Sequence, residues 1–124
     1  MLNWKNIISP KKLFFSFRSS FHGLKIAFLE EHSFKIQVFL TVLLLILMFS
    51  FPLHHIERAI LVLAVIIVLG LELLNSQIER VLDMAQFDHN PRIKDIKDLS
   101  SAAVLIAAVG ALIIGLFIFI PYLV

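Results

Sequence analysis

The sequence predicts an all-α integral membrane protein: three transmembrane helices preceded by an N-terminal amphipathic helix lying in the membrane interface. Three observations lead there. The 124 residues are 60% hydrophobic with a mean hydropathy of +0.95, well beyond what a soluble domain of this size uses to fill its core. Three apolar runs can be drawn at 34–51, 56–84 and 102–120, each near the roughly 20 residues a helix needs to cross about 30 Å of hydrocarbon. Between residues 11 and 31 the pattern changes to phenylalanines at helical spacing among cations. Residues 1–124 make a single membrane domain, and a bundle this short buries little against itself, so an oligomer is expected. The absence of cysteine excludes disulfides, thiolate metal sites and cysteine nucleophiles. Residues 1–33 lack a continuous apolar core followed by a small-residue cleavage site, so no cleavable signal is expected.

The surface helix, 11–31, comes first. Phe14, Phe17, Phe21, Leu24 and Phe28 recur every three or four residues, flanked by Lys11, Arg18, His22 and Lys25. Such a helix sinks its rings into the acyl boundary while its cations meet anionic headgroups, and as an anchor it needs no further role. The first span ends at Pro52, and the short turn to His55 makes the second span its antiparallel neighbour. In the third span Ala103, Ala107, Ala111 and Gly115 repeat every four residues, a ridge along which another helix packs closely, and the span is expected to stop at Pro121. Six Lys and Arg residues lie at or before the first span, one in the first loop, four around the 85–101 loop and none after the third span. The positive-inside rule then puts the N-terminus and the 85–101 loop in the cytoplasm.

Within the second span, Glu72, Asn75, Glu79 and Asp83 are spaced three, four and four residues apart. At about 100° per residue they share an arc of roughly 80°, with Glu72 and Glu79 about 10 Å apart along the axis. A carboxylate at membrane depth costs roughly 2.5–3.5 kcal/mol on insertion scales, which points to use rather than accident. Glu30 and Glu31 precede the first span, and Lys94, Asp95, Lys97 and Asp98 precede the third, so carboxylates from separate segments meet at one membrane edge. Mg²⁺ takes oxygen ligands and shares them with phosphate, lysines neutralise polyphosphate, and a deeper carboxylate at Glu72 is placed to act as general base. Each feature also has a plainer account. Glu79 and Asp83 near a helix end are solvated beside Arg80, Lys97 and Asp98 pair or cap at a helix start, and Asn75 joins helices. Only Glu72 lies too deep for such an account. His54 and His55 lack further ligands for a metal site, and no phosphate-binding glycine loop is present.

The stretch Glu72-Leu73-Leu74-Asn75-Ser76-Gln77-Ile78-Glu79-Arg80-Val81-Leu82-Asp83, followed by Lys97-Asp98-Leu99-Ser100-Ser101-Ala102-Ala103-Val104-Leu105, resembles the prokaryotic diacylglycerol kinase family, which includes the undecaprenol kinases. Gly23-Leu24-Lys25 and Glu31-His32-Ser33-Phe34-Lys35 fit as well, so the likeness covers nearly the whole chain. The resemblance implies a homotrimer of three-helix protomers with composite active sites, using Mg²⁺ and ATP to phosphorylate a lipid alcohol. It makes Glu72 the general base and Asn75 its polar neighbour, with Glu31 and Glu79 as the carboxylates that hold Mg²⁺ and ATP. Lys97 and Asp98 fall on the phosphate and sugar side, with Asp83, Asp88, His89 and Asn90 in the nucleotide region. Lys12 stands where the family has an arginine contacting ATP, a weaker bidentate partner, and Ser19 where some members carry a polar aromatic. Gln77 replaces the usual alanine and points away from the stripe. Diacylglycerol, giving phosphatidic acid, is the expected substrate, favoured by the run Ser100 to Ala107, with undecaprenol the alternative; Gln37 matches neither branch. Partners are then membrane lipids and other copies of the chain, with no nucleic acid. A proton-coupled transporter is the alternative of a different class, since intramembrane Glu also marks proton relays. It would need polar residues through to the far side, and the third span has none between Ala102 and Ile120.

Overall fold

The computed structural model describes residues 3–7, 9–85 and 90–124. After a short α1 (Trp4–Ile7), the chain forms α2 (Pro10–Glu30), α3 (His32–Ser50), α4 (His55–Met84) and α5 (Pro91–Leu123), with no strand among the described residues. The last three of these helices are each long and apolar enough to cross a membrane. Their outward faces are lined by exposed leucine, isoleucine, valine and phenylalanine, the surface expected of a chain solvated by lipid or by other copies of itself.

Each boundary has a local cause. Ser9 caps α2, its hydroxyl accepting from the Lys12 backbone N–H at 3.2 Å, and Pro10 opens the first turn, where its missing N–H costs nothing. The helix runs unbroken through Gly23. At Glu31 the backbone is extended (φ −102°, ψ 106°), and this single residue separates α2 from α3. α3 ends at Ser50, before Pro52, and the Leu53 N–H donates to the Phe51 carbonyl at 2.8 Å to close the turn. Arg58 then reaches back over that turn. Its guanidinium donates to the Met48 and Phe51 carbonyls, both at 3.3 Å, and sits 5.6 Å from the Phe49 ring centre. A cation here supplies donors to the last carbonyls of α3 and meets the negative end of its dipole.

The core lies at this same end of the bundle. Met48, Leu53, Leu61 and Ile118 are buried together, with Leu44, Phe51, Ile114, Phe119 and Tyr122 packed around them. Phe51 and Phe119 meet edge to face at 5.5 Å between ring centres. The Tyr122 hydroxyl donates to Glu57 Oε1 at 2.6 Å, and the same oxygen accepts from the His54 backbone N–H at 3.0 Å. The end of α5 is thereby tied to the start of α4.

Two expectations are corrected. The third helix does not begin near Ala102: the segment expected as the 85–101 loop is helical from Pro91 onward. Asn90 supplies the cap, accepting from the Arg92 N–H at 3.0 Å, Pro91 stands at the first helical position, and Lys94 pairs with Asp98 one turn later at 2.9 Å. Nor does it stop at Pro121, because the helix carries that proline within its last turn and continues to Leu123. The small-residue ridge is also only partly used inside one chain. Ala107, Ala111 and Gly115 are half-buried while Ala103 is exposed, and no atom of the described chain approaches the position of a side chain added at Gly115.

Candidate active site

Three segments converge on the polar stripe of α4. Glu72 and Asn75 are buried, at 5% and 8% exposure, and Ser76 beside them at 6%. They are the buried polar side chains among the described residues. Gln37, on α3, donates its Nε2 to Glu72 Oε2 at 3.3 Å, a long bond that still crosses between helices. The Gln37 and Asn75 amide oxygens are buried with no hydrogen-bond partner among the described residues. The pocket around Glu72 is therefore rich in acceptors and short of donors, which suits a hydroxyl proton better than another anion. One turn further on, Glu79 is half-buried and has no hydrogen-bond or ion-pair partner among the described residues.

At the membrane edge the charges pair. Arg80 binds both carboxylates at the α2–α3 junction: its Nε donates to Glu31 Oε1 at 2.8 Å and an Nη to Glu30 Oε2 at 2.9 Å. Lys97 donates to Asp83 at 2.6 Å, joining α5 to α4, while Asp98 is taken by Lys94. Lys94 precedes the apolar part of α5, and Asp98 beside it holds its ammonium above the usual lysine range. Glu72, Asn75, Glu79 and Asp83 thus share one flank of α4, Glu31 and Lys97 are joined to its end through Arg80 and Asp83, and Asp98 pairs along α5 with Lys94.

Others are not brought in. Lys12 and Ser19 are exposed on α2, about 28 and 18 Å back along that helix from Glu31, and the chain folds no stripe residue onto them. Asn90 spends its side chain as the cap of α5. Asp88 and His89 lie outside the described residues. Sequence reasoning missed two residues: Arg80, read as a neighbour of Glu79 and Asp83, and Gln37, read only as a branch marker. Gln37 had a signal, being a lone amide in an apolar run. No group of three His, Asp or Glu side chains suited to a metal occurs among the described residues.

A groove of about 700 Å³ opens beside the stripe between α3, α4 and α5. Leu40, Leu44, Val68, Leu112 and Phe119 supply apolar walls, and Ser33, Gln37 and Thr41 give α3 its polar contribution.

The sequence profile of the prokaryotic diacylglycerol kinases matches residues 18–119, nearly the full helical bundle. This chain belongs to that family. A diacylglycerol kinase of Helicobacter pylori is 33% identical over 114 residues, covering 91% of this chain and 89% of its own length. One from Synechocystis is 34% identical over 110 residues, of which the chain spans 63% of the relative's length. An undecaprenol kinase of Bacillus subtilis is 35% identical over 112 residues, 90% of this chain and 91% of the relative.

Proposed function

We propose that this member of the family is an ATP-dependent lipid kinase acting at the cytoplasmic face of the bacterial inner membrane, transferring the γ-phosphoryl group to the primary hydroxyl of diacylglycerol to give phosphatidic acid. The observation that carries the reading is Glu72. It is a carboxylate buried within a membrane-length helix, flanked by unpartnered amide oxygens, with a lysine- and carboxylate-rich edge further along the same face. A chain kept at that cost needs a proton to move there.

The lipid hydroxyl approaches Glu72, whose carboxylate takes its proton as the oxygen attacks the γ-phosphorus and ADP leaves. Asn75 and Gln37 hold the carboxylate and the alcohol in line, so positioning supplies much of the rate. Lys97 and Asp98 meet the phosphate and sugar side of ATP, with Asp83, Asp88, His89 and Asn90 around it, and Lys12 and Ser19 reach it from α2 of a neighbouring protomer in a homotrimer. Glu79, unpartnered and half-buried, and Glu31 fit the sparse donor set that Mg²⁺ uses, one or two carboxylates completed by phosphate and water. When bound, that ion neutralises charge on the transferring group. α2 lies in the interface with its phenylalanines in lipid, and the N-terminus and the segment between α4 and α5 face the cytoplasm.

Undecaprenol is the second reading, favoured by the Bacillus subtilis relative, which matches as much of the chain as the Helicobacter pylori one. Both lipids present a primary alcohol on a long apolar body, and a groove walled by leucines accepts either. The deciding experiment supplies labelled ATP with each lipid in mixed micelles. Label in extracted phosphatidic acid supports the first reading, label in undecaprenyl phosphate the second, and label in neither, with Glu72→Gln indistinguishable from the natural chain, refutes the kinase assignment.

A further inference from the structure

We propose that Arg80 is a resident cation on the acidic edge of the site, one that a divalent ion has to displace from Glu31 before binding there, so that the site takes a metal–nucleotide complex in preference to the bare ion. This rests on reading Glu31 and Glu79 as the cation's ligands.

Arg80 fills the place a metal would compete for. Its guanidinium contacts Glu31 Oε1 through both Nε and an Nη, and the same Nη reaches Glu30 Oε2, so one cation bridges two adjacent carboxylates and offsets half of their charge. Glu79, the residue before it, is left without a pair among the described residues. The edge is thus half open and half held. An arriving divalent ion meets the open carboxylate and the positive charge of Arg80 together, and the second opposes it. A triphosphate arriving with the ion reverses the balance, since its oxygens give the guanidinium a bidentate partner of greater charge than the one it leaves.

The pair is exposed enough to exchange. The Arg80 side chain is 45% accessible and those of Glu30 and Glu31 are 59% and 22%. An ion pair in contact with water contributes little to stability and breaks at little cost, where a buried one would be permanent.

The test uses the full chain in mixed micelles with Mn²⁺ as the probe, its binding followed by electron paramagnetic resonance without nucleotide. Removing one positive charge beside the ion should tighten Mn²⁺ binding in Arg80→Gln by about fivefold or more. Arg80→Lys, which keeps the charge but loses the fork, should fall between, and it provides the same comparison if the glutamine variant folds poorly. With a non-hydrolysable ATP analogue present, the advantage of Arg80→Gln should shrink or reverse. A merely structural role for Arg80 would weaken binding, not strengthen it. Equal or weaker Mn²⁺ binding in both variants, while Glu31→Gln loses it, overturns the proposal and leaves the cation site standing. Unchanged binding in Glu31→Gln and Glu79→Gln overturns the cation site, and the role of Arg80 with it.

Discussion

Removing the Glu72–Gln37 pair should make the protein harder to unfold while abolishing turnover. A carboxylate deep in a membrane helix costs roughly 2.5–3.5 kcal/mol, and a hydrogen bond to a charged group returns roughly 1.5–3 kcal/mol. At 3.3 Å the Gln37 bond is long, which places its return at the low end and leaves the pair a net burden of about 1–2 kcal/mol. Glu72→Leu alone strands the Gln37 amide, a loss of about 1–3 kcal/mol that cancels most of the gain. Glu72→Leu with Gln37→Leu removes both polar groups, so the double variant should exceed the natural chain by about 1–2 kcal/mol and the single variant should lie near it. Equilibrium unfolding in micelles of rising SDS fraction measures the difference, and phosphoryl transfer to lipid should be lost in both. A double variant less stable than either the single variant or the natural chain would show that the polar pair holds the fold together, and would remove the physical ground for assigning Glu72 to chemistry.

Leu61, at 1% exposure, is the most enclosed side chain of the core, and Leu61→Ala should cost about 2–5 kcal/mol in the same unfolding measurement. Asn90→Ala should cost about 1 kcal/mol by uncapping α5; Asn90→Ser should restore stability, and if it also restores the KM for ATP, the residue serves the nucleotide only through the helix it caps. Lys97→Gln breaks an exposed ion pair with Asp83 and should change stability by less than about 1 kcal/mol, while steady-state assays should show KM for ATP rising severalfold. Glu72→Gln should run as the natural chain does in size-exclusion chromatography yet transfer almost no label.

The polar stripe was readable because its cause is local. Four polar residues at three- and four-residue steps fall on one helical face whatever surrounds it, and the structure buries Glu72 and Asn75 as that face requires. The start of α5 was just as local, in Asn90 followed by Pro91 and the Lys94–Asp98 spacing, and was hidden by charged residues that read as loop. Arg80 was not readable. Its partners are 49 and 50 residues away, and their meeting depends on the break at Glu31, which no proline or glycine announces. Arg58 was hidden in the same way, since a charge beside a turn gives no sign that it will cover the carbonyls of the helix before it.

The two ends of the bundle are built differently. Near Pro52, side chains interlock, Arg58 covers the end of α3 and Tyr122 fastens α5 to α4; near Asp83, the helices are joined by solvent-facing charges. The contacts at the Pro52 end therefore hold at any ionic strength, while those at the Asp83 end weaken as salt rises.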